Sequence, residues 1–171
     1  WAIDTHLGFE ERLNNAKISK CEKVYIAQKN DVEKFQKEGL NVEWLPLACC
    51  PEIHNVSKRN GKEYDVCFIG HTDPKLDFMQ KRIDYLDTLF KNFPEFFYGQ
   101  RFFKEATEIY NKSRIVFNCS VKNDVNMRCF ESMCSGNMLL TDKIENNGFE
   151  ELGFINGINL VTYTSKEEMV E

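Results

Sequence analysis

Between Ile115 and Glu131 the chain reads IVFNCSVKNDVNMRCFE: an apolar run, a short polar loop and a segment with helical spacing. Met127, Phe130 and Cys134 recur at i, i+3 and i+7, the inward stripe of a helix over 125–135. Arg128, Glu131 and Ser135 share that spacing on a different stripe. Arg128 falls in the first turn, where free amides and the helix dipole favour an anion. Glu131, one turn deeper, is suited to accept hydrogen bonds from a ribose diol. Asn126, Met127 and Arg128 would thus seat a diphosphate, and Glu131 the sugar next to it. The same Arg–Glu spacing also describes an exposed surface pair worth about 0.2–0.5 kcal/mol, and the residues alone leave both readings open. If Asp124 caps this helix, its charge competes with a phosphate there. It must then face a sugar hydroxyl, or Lys122 and Arg128 must offset it.

Two other strand ends invite chemistry, because ligands of open α/β sheets bind beyond the carboxyl ends of strands. In DVCFIGHT, over 65–72, a strand ends at Gly70, where backbone can approach a ligand closely, with His71 and Lys75 as donors to phosphate oxygens. GxGxxG is absent and no GKT or GKS follows, so this is neither a dinucleotide fingerprint nor a P-loop; taken alone, it reads as a plain tight turn. The opening WAIDTH places His6 just past a strand, able to enter a cleft or to serve as a structural hydrogen bonder. The Ser, Cys and His residues carry no local nucleophile signature, which speaks against covalent hydrolase chemistry.

The elements that must position these residues alternate. Strands are expected at Val24–Ala27, Val42–Leu45, Asp65–Ile69, Glu95–Tyr98, Arg114–Asn118, Met138–Thr141 and Asn159–Thr162. Several are nearly continuous apolar runs, as parallel strands covered on both faces require. Helices are expected at Asp31–Glu38, Lys75–Asn92, Phe103–Asn111, Val125–Ser135 and Glu145–Leu152, and from Lys166 onward, with Asn30 and Ser165 as N-caps. The fold class is therefore α/β, a Rossmann-like parallel sheet with helices on both faces. Pro46 and the polar stretch 52–63, with Asn60-Gly61, mark a connector, so residues 1–45 and 46–171 are expected to belong to different lobes. Both termini fall inside elements, and the chain is expected to be part of a longer protein.

Bulk properties narrow the function classes. The net charge of -5, from 22 basic and 27 acidic residues, argues against nucleic acid as a partner. No run approaches the roughly 20 apolar residues of a membrane span. The seven cysteines are odd in number and form no CxxC, and the three histidines are scattered, so buried thiols in a reducing cytoplasm are expected, without disulfide framework or metal site. No cofactor is expected.

On Trp1–His6, Val24–Gln28, Trp44–Cys49, Tyr64–Gly70, Tyr98–Gln100, Ile109–Asn118, Asn126–Asp142 and Phe149–Tyr163, in that order and spacing, the sequence resembles the glycosyl transferases group 1 family, on its spore-maturation glycosyltransferase-like branch. These are retaining enzymes of GT-B architecture, two Rossmann-like lobes facing across a cleft. The resemblance implies that residues up to about Leu45 end the acceptor-side lobe and that Pro46 onward forms the lobe binding a nucleotide-sugar donor. It places His6 near the donor sugar, with Arg128 as the second catalytic residue, stabilising the departing diphosphate. Gly70, His71 and Lys75 fall at the diphosphate, although the Arg usual there is missing. Glu131 matches the second glutamate of the family's two-glutamate motif, and Gly136 the small residue ending that helix. The first glutamate, eight residues earlier, is replaced by Asn123, with Asn123 or Asp124 as substitutes at the donor sugar.

The implied function is metal-independent transfer of a sugar from a nucleoside-diphosphate sugar to an unknown acceptor (glycan, protein or small molecule), with the 171 residues alone expected to be inactive. The alternatives are a non-catalytic binding or assembly module with a degenerate site, and a nucleotide-sugar epimerase.

Overall fold

The computed structural model describes residues 7–56 and 61–171; His6 lies outside the described residues. The chain runs α1 (Phe9–Ser19), β1 (Val24–Ile26), α2 (Lys29–Lys37), β2 (Val42–Trp44), β3 (Tyr64–Ile69), α3 (Gln80–Asn92), β4 (Phe96–Gly99), α4 (Phe103–Lys112), β5 (Ser113–Asn118), α5 (Met127–Cys134), β6 (Met138–Asp142), β7 (Leu160–Tyr163) and α6 (Lys166–Val170). All seven expected strands are present, with ends shifted by a residue or two.

β1 and β2 form a parallel pair with Tyr25 opposite Glu43. Leu13, Ala16, Ile26, Phe35 and Val42 make the core between this pair and α1 and α2. The other five strands form one parallel sheet in the order β4-β3-β5-β6-β7. Side chains of a strand alternate between faces, and two cores result. Val66, Phe68, Phe117 and Leu140 meet Leu86 and Leu89 of α3 and Met169 of α6. On the other face Cys67, Ile69 and Val116 meet Ala106 and Tyr110 of α4, while Leu139 and Leu160 meet Cys129 of α5.

Chain order explains where the sheet opens. From β3 the chain steps to β4 at the edge, then crosses back to lay β5 on the other side of β3. Strand order reverses between β3 and β5, and connections leave in opposite directions there, so a crevice forms beyond Ile69 and Asn118.

Several expectations need correction. The fully buried side chains of α5 are Cys129 and Ser132 whereas Met127 is exposed, and α3 begins at Gln80 rather than Lys75. The helix α1 was not legible: its inward face carries the buried Arg12 beside Leu13 and Ala16, so apolar periodicity is weak. Asp31 makes that burial tolerable, bonding Arg12 at 2.7 Å. Burial opposes the charge of Asp31, but bonds from Lys34 and Arg12 hold its carboxyl below the usual range. The helix expected over 145–152 is only a 3-10 turn, Glu150–Leu152, because Asn146 and Gly148 take left-handed backbone. The left-handed φ of 76° at Gly148 suits glycine, and a Cβ there would meet Trp44 Cζ2 at 2.5 Å. Finally, Asn30 sits inside the first turn of α2 rather than capping it, its N–H donated to Asn147 Oδ1 at 3.2 Å. Ser165 does cap α6, accepting from the Glu168 N–H at 3.1 Å.

Candidate functional site

Arg128 projects from the first turn of α5 into the crevice. Its Nε and Nη2 donate to the Ile69 carbonyl at 2.9 and 2.5 Å, and its Nη1 donates to Asn118 Oδ1 at 2.5 Å. One guanidinium thus spans the ends of β3 and β5 at the point of strand reversal. Its Cζ lies 4.3 Å from the Phe68 ring centroid. Gly70 makes room for it, because a Cβ there would run into Arg128 Nη2 and come within 2.9 Å of Phe68 Cζ.

A second cation arrives from α3. Arg82 is buried; its Nε and Nη2 donate to the Cys119 carbonyl at 3.2 and 2.7 Å, and its Nη1 donates to the His71 carbonyl at 3.1 Å. Its Cζ is 5.5 Å from the same Phe68 ring. Burial, and then the charge of Arg128, push its pKa below the ordinary value. The oxygens that accept from the two arginines are neutral, and Arg82 Nη1 also donates to the Met79 sulfur at 3.5 Å. Two cations side by side, partly removed from water, attract an anion more strongly than exposed ones would.

Sequence reasoning missed Arg82, although a signal existed. Met79, Arg82, Leu86 and Leu89 are buried at spacings of three, four and three, so an arginine occupies the apolar stripe of α3.

Leu47, Ile69, Gly70, His71, Arg82, Phe102, Tyr110, Asp124, Asn126, Met127, Arg128 and Glu131 are among the residues lining a cleft of about 710 Å³. Glu131 therefore faces the hollow one turn below Arg128. Tyr110 Oη donates to Glu131 Oε2 at 3.2 Å, and His54 Nε2 lies 3.7 Å from Oε1. The exposed ring of Phe102 and the side chain of Leu47 give the cleft an apolar wall.

Asp124 does not cap α5. Its Oδ1 accepts from the Val121 N–H at 2.6 Å, and Asn126 precedes the helix with no side-chain cap. Burial pushes the Asp124 carboxyl upward in pKa, against the opposing pull of the Val121 bond, Asn126, Arg82 and Arg128. Among the described residues, no carboxylate takes the first-turn amides of α5.

Not every expected residue joins the cleft. His71 does, with its Nδ1 3.1 Å from Gln100 Nε2. Lys75 is exposed outside it, in a turn where its N–H donates to Asp73 Oδ1 at 2.9 Å. Asn123 has left-handed backbone, and its side chain turns to Glu145, donating to its carbonyl at 2.6 Å and accepting from its N–H at 2.9 Å.

A second hollow of about 680 Å³ lies beside the segment after β6. Glu145, Glu150 and Glu151 line it, and its Lys143 is paired with Glu145 at 2.6 Å. Such a wall repels an anion; the Arg82–Arg128 cleft attracts one. All seven cysteines are free thiols, and burial pushes Cys67 and Cys129 up to about 12. Among the described residues, no helix is long and apolar enough to cross a membrane.

Residues 77–171, which carry Arg82, Tyr110, Arg128 and Glu131, match the family model described as glycosyl transferase-like. The chain belongs to the glycosyl transferase-like family. Its fold is similar to that of sucrose-phosphate synthase from Thermosynechococcus elongatus, with 12% identity, a TM-score of 0.61, and coverage of 98% of this chain and 52% of that one. At that identity the likeness speaks to fold, and this chain spans about half the length of that structure. No curated protein matches the sequence. Membership of this glycosyl transferase-like family supports glycosyl transfer as the general chemistry.

Proposed function

We propose that the chain carries the donor-binding part of a glycosyltransferase that takes a sugar from a nucleoside-diphosphate sugar. In this reading residues 1–45 belong to the acceptor-side lobe and residues 46–171 to the donor-side lobe. The observation that carries it is the placement of Arg82 and Arg128 together at the strand-order reversal, with Glu131 in the same cleft. Rupture of the sugar–phosphate bond builds negative charge on the departing diphosphate. The two guanidinium groups and the first-turn amides of α5 stabilise that charge where it develops. Glu131 accepts from the ribose hydroxyls, and the Phe102 and Leu47 wall receives the base. The positive charge for the leaving group comes from side chains, which supports a route without a metal ion. Retention of configuration comes from the family resemblance alone.

One observation favours the alternative of binding without turnover. Asn123, at the place of the motif's first glutamate, is committed to Glu145 and does not line the cleft. Incubating the full-length protein with a panel of nucleotide sugars, with and without candidate acceptors, separates the readings. Release of nucleoside diphosphate with transfer to acceptor is expected. Saturable binding with no release would assign the chain to a binding module, a C4- or C2-inverted sugar nucleotide to an epimerase, and no binding at all would remove the donor site.

A further inference from the structure

The segment between β2 and β3 does more than join two sheets. Its turn over 51–54 is closed by the His54 N–H donating to the Cys50 carbonyl at 2.8 Å. Both helices of the cleft hold it in place. From α4, Thr107 Oγ1 donates to the Ile53 carbonyl at 3.1 Å and Asn111 Nδ2 donates to the Asn55 carbonyl at 3.0 Å. From α5, Cys134 Sγ donates to the His54 carbonyl at 2.7 Å. The result is a buried His54 whose ring looks at the back of Glu131.

Glu131 is thereby approached on both oxygens. Tyr110 Oη is 3.2 Å from Oε2, and His54 Nε2 is 3.7 Å from Oε1. Tyr110 is almost wholly buried, and burial pushes its hydroxyl far above the usual pKa, so it stays a donor. Among the described residues, His54 Nδ1 is buried with no hydrogen-bond partner, and Nε2 is the ring nitrogen that faces the carboxylate. The Glu131 side chain keeps about a fifth of its surface open, toward the cleft. Each oxygen of a carboxylate has two acceptor directions. Tyr110 takes one on Oε2, His54 Nε2 faces Oε1 at 3.7 Å, an electrostatic contact longer than a hydrogen bond, and the outward directions stay open to the two adjacent hydroxyls of a ribose.

We propose that His54 and Tyr110 are positioning residues that hold the Glu131 carboxylate, Tyr110 by its Oη–H bond and His54 by the polar Nε2 edge facing Oε1, in the orientation that accepts both the 2′- and 3′-hydroxyls of a nucleoside diphosphate. The inference rests on the donor-site reading of Glu131 and adds to it that the connector between the two sheets supplies a member of the ribose site. It commits the site to ribonucleotides. A 2′,3′-dideoxy nucleotide leaves the oriented carboxylate without donors.

The test uses the full-length protein and calorimetric titration with a ribonucleoside diphosphate, its 2′,3′-dideoxy analogue and inorganic pyrophosphate. The wild type is expected to prefer the ribonucleotide by about tenfold or more. Tyr110→Phe and His54→Asn are expected to shrink that preference several-fold while pyrophosphate affinity stays unchanged. His54→Gln, whose amide carries an N–H at the position of Nε2, restores most of it; Asn, one methylene shorter, does not. A preference retained in both Tyr110→Phe and His54→Asn overturns the inference, as does parallel loss of pyrophosphate binding, which would make the two residues supports of the fold alone. If the wild type and Glu131→Gln bind all three ligands alike, the donor-site reading itself falls, a result distinct from the first.

Discussion

Nη1 of Arg128 donates to Oδ1 of Asn118 at 2.5 Å, and this bond joins the first turn of α5 to the last residue of β5. Asn118 is wholly buried and fully used. Its Oδ1 also accepts from Asn126 Nδ2 at 3.1 Å, its Nδ2 donates to Thr141 Oγ1 at 2.9 Å, and its carbonyl accepts from Tyr163 Oη at 2.8 Å. One side chain therefore fixes both the residue before α5 and the cation that α5 presents. Asn118→Ala strands the partners of its side chain, Arg128 Nη1, Asn126 Nδ2 and Thr141 Oγ1, while the Tyr163 bond to the backbone carbonyl remains, and each buried group left unsatisfied costs about 1–3 kcal/mol. Chemical denaturation is expected to show a loss of about 2–4 kcal/mol in total, larger than a surface substitution produces.

The two arginines should act on phosphate rather than on the nucleoside. Arg82→Met and Arg128→Met, each keeping apolar contact with Phe68, are expected to weaken pyrophosphate binding by roughly 10–100-fold, the worth of a charge-assisted hydrogen bond of about 1.5–3 kcal/mol. Nucleoside affinity should change little. Titrations with pyrophosphate and with the free nucleoside check both statements, and equal effects on the two ligands would contradict the assignment.

Gly70 tests the close approach. A Cβ there enters the space of Arg128 Nη2 and the Phe68 ring. Gly70→Ala is expected to displace the guanidinium and weaken pyrophosphate binding several-fold, with the unfolding midpoint lowered only modestly because the strand itself persists. Unchanged pyrophosphate affinity in Gly70→Ala would mean that Arg128 is not held where anions bind.

The expected strands were legible because their apolar runs are short, β-rich and bounded by Gly, Pro or Asn, and all seven form. The ligand-bearing loop before α5 was legible too, since Arg128 and Glu131 stand at helical spacing behind a strand. What local pattern could not show is what arrives from afar. Arg82 enters from α3 and His54 from the connector, 46 and 77 residues before Arg128 and Glu131 respectively. The direction of Asn123 was equally hidden, being set by backbone in the left-handed region and by Glu145 across the loop. The helix α1 escaped because its buried arginine is neutralised by a residue of another helix.

That Arg12–Asp31 pair gives a pH signature. The folded carboxyl of Asp31 lies below its ordinary value of 3.8, so its contribution is present above that value and is lost as pH falls through the lowered folded pKa. Asp31→Asn should remove the acid-side loss. At neutral pH it leaves a buried guanidinium without its counter-charge, a change of about 3–5 kcal/mol. Arg12→Met combined with Asp31→Asn should recover most of it, and unfolding curves at neutral and acid pH measure each part.

The most direct measurement is a crystal structure of the full-length protein with a bound nucleoside diphosphate. The diphosphate is expected against Arg82, Arg128 and the first turn of α5, with the ribose hydroxyls on Glu131. A nucleotide seated elsewhere, for instance in the hollow lined by Glu145, Glu150 and Glu151, or a ribose turned away from Glu131, would contradict it.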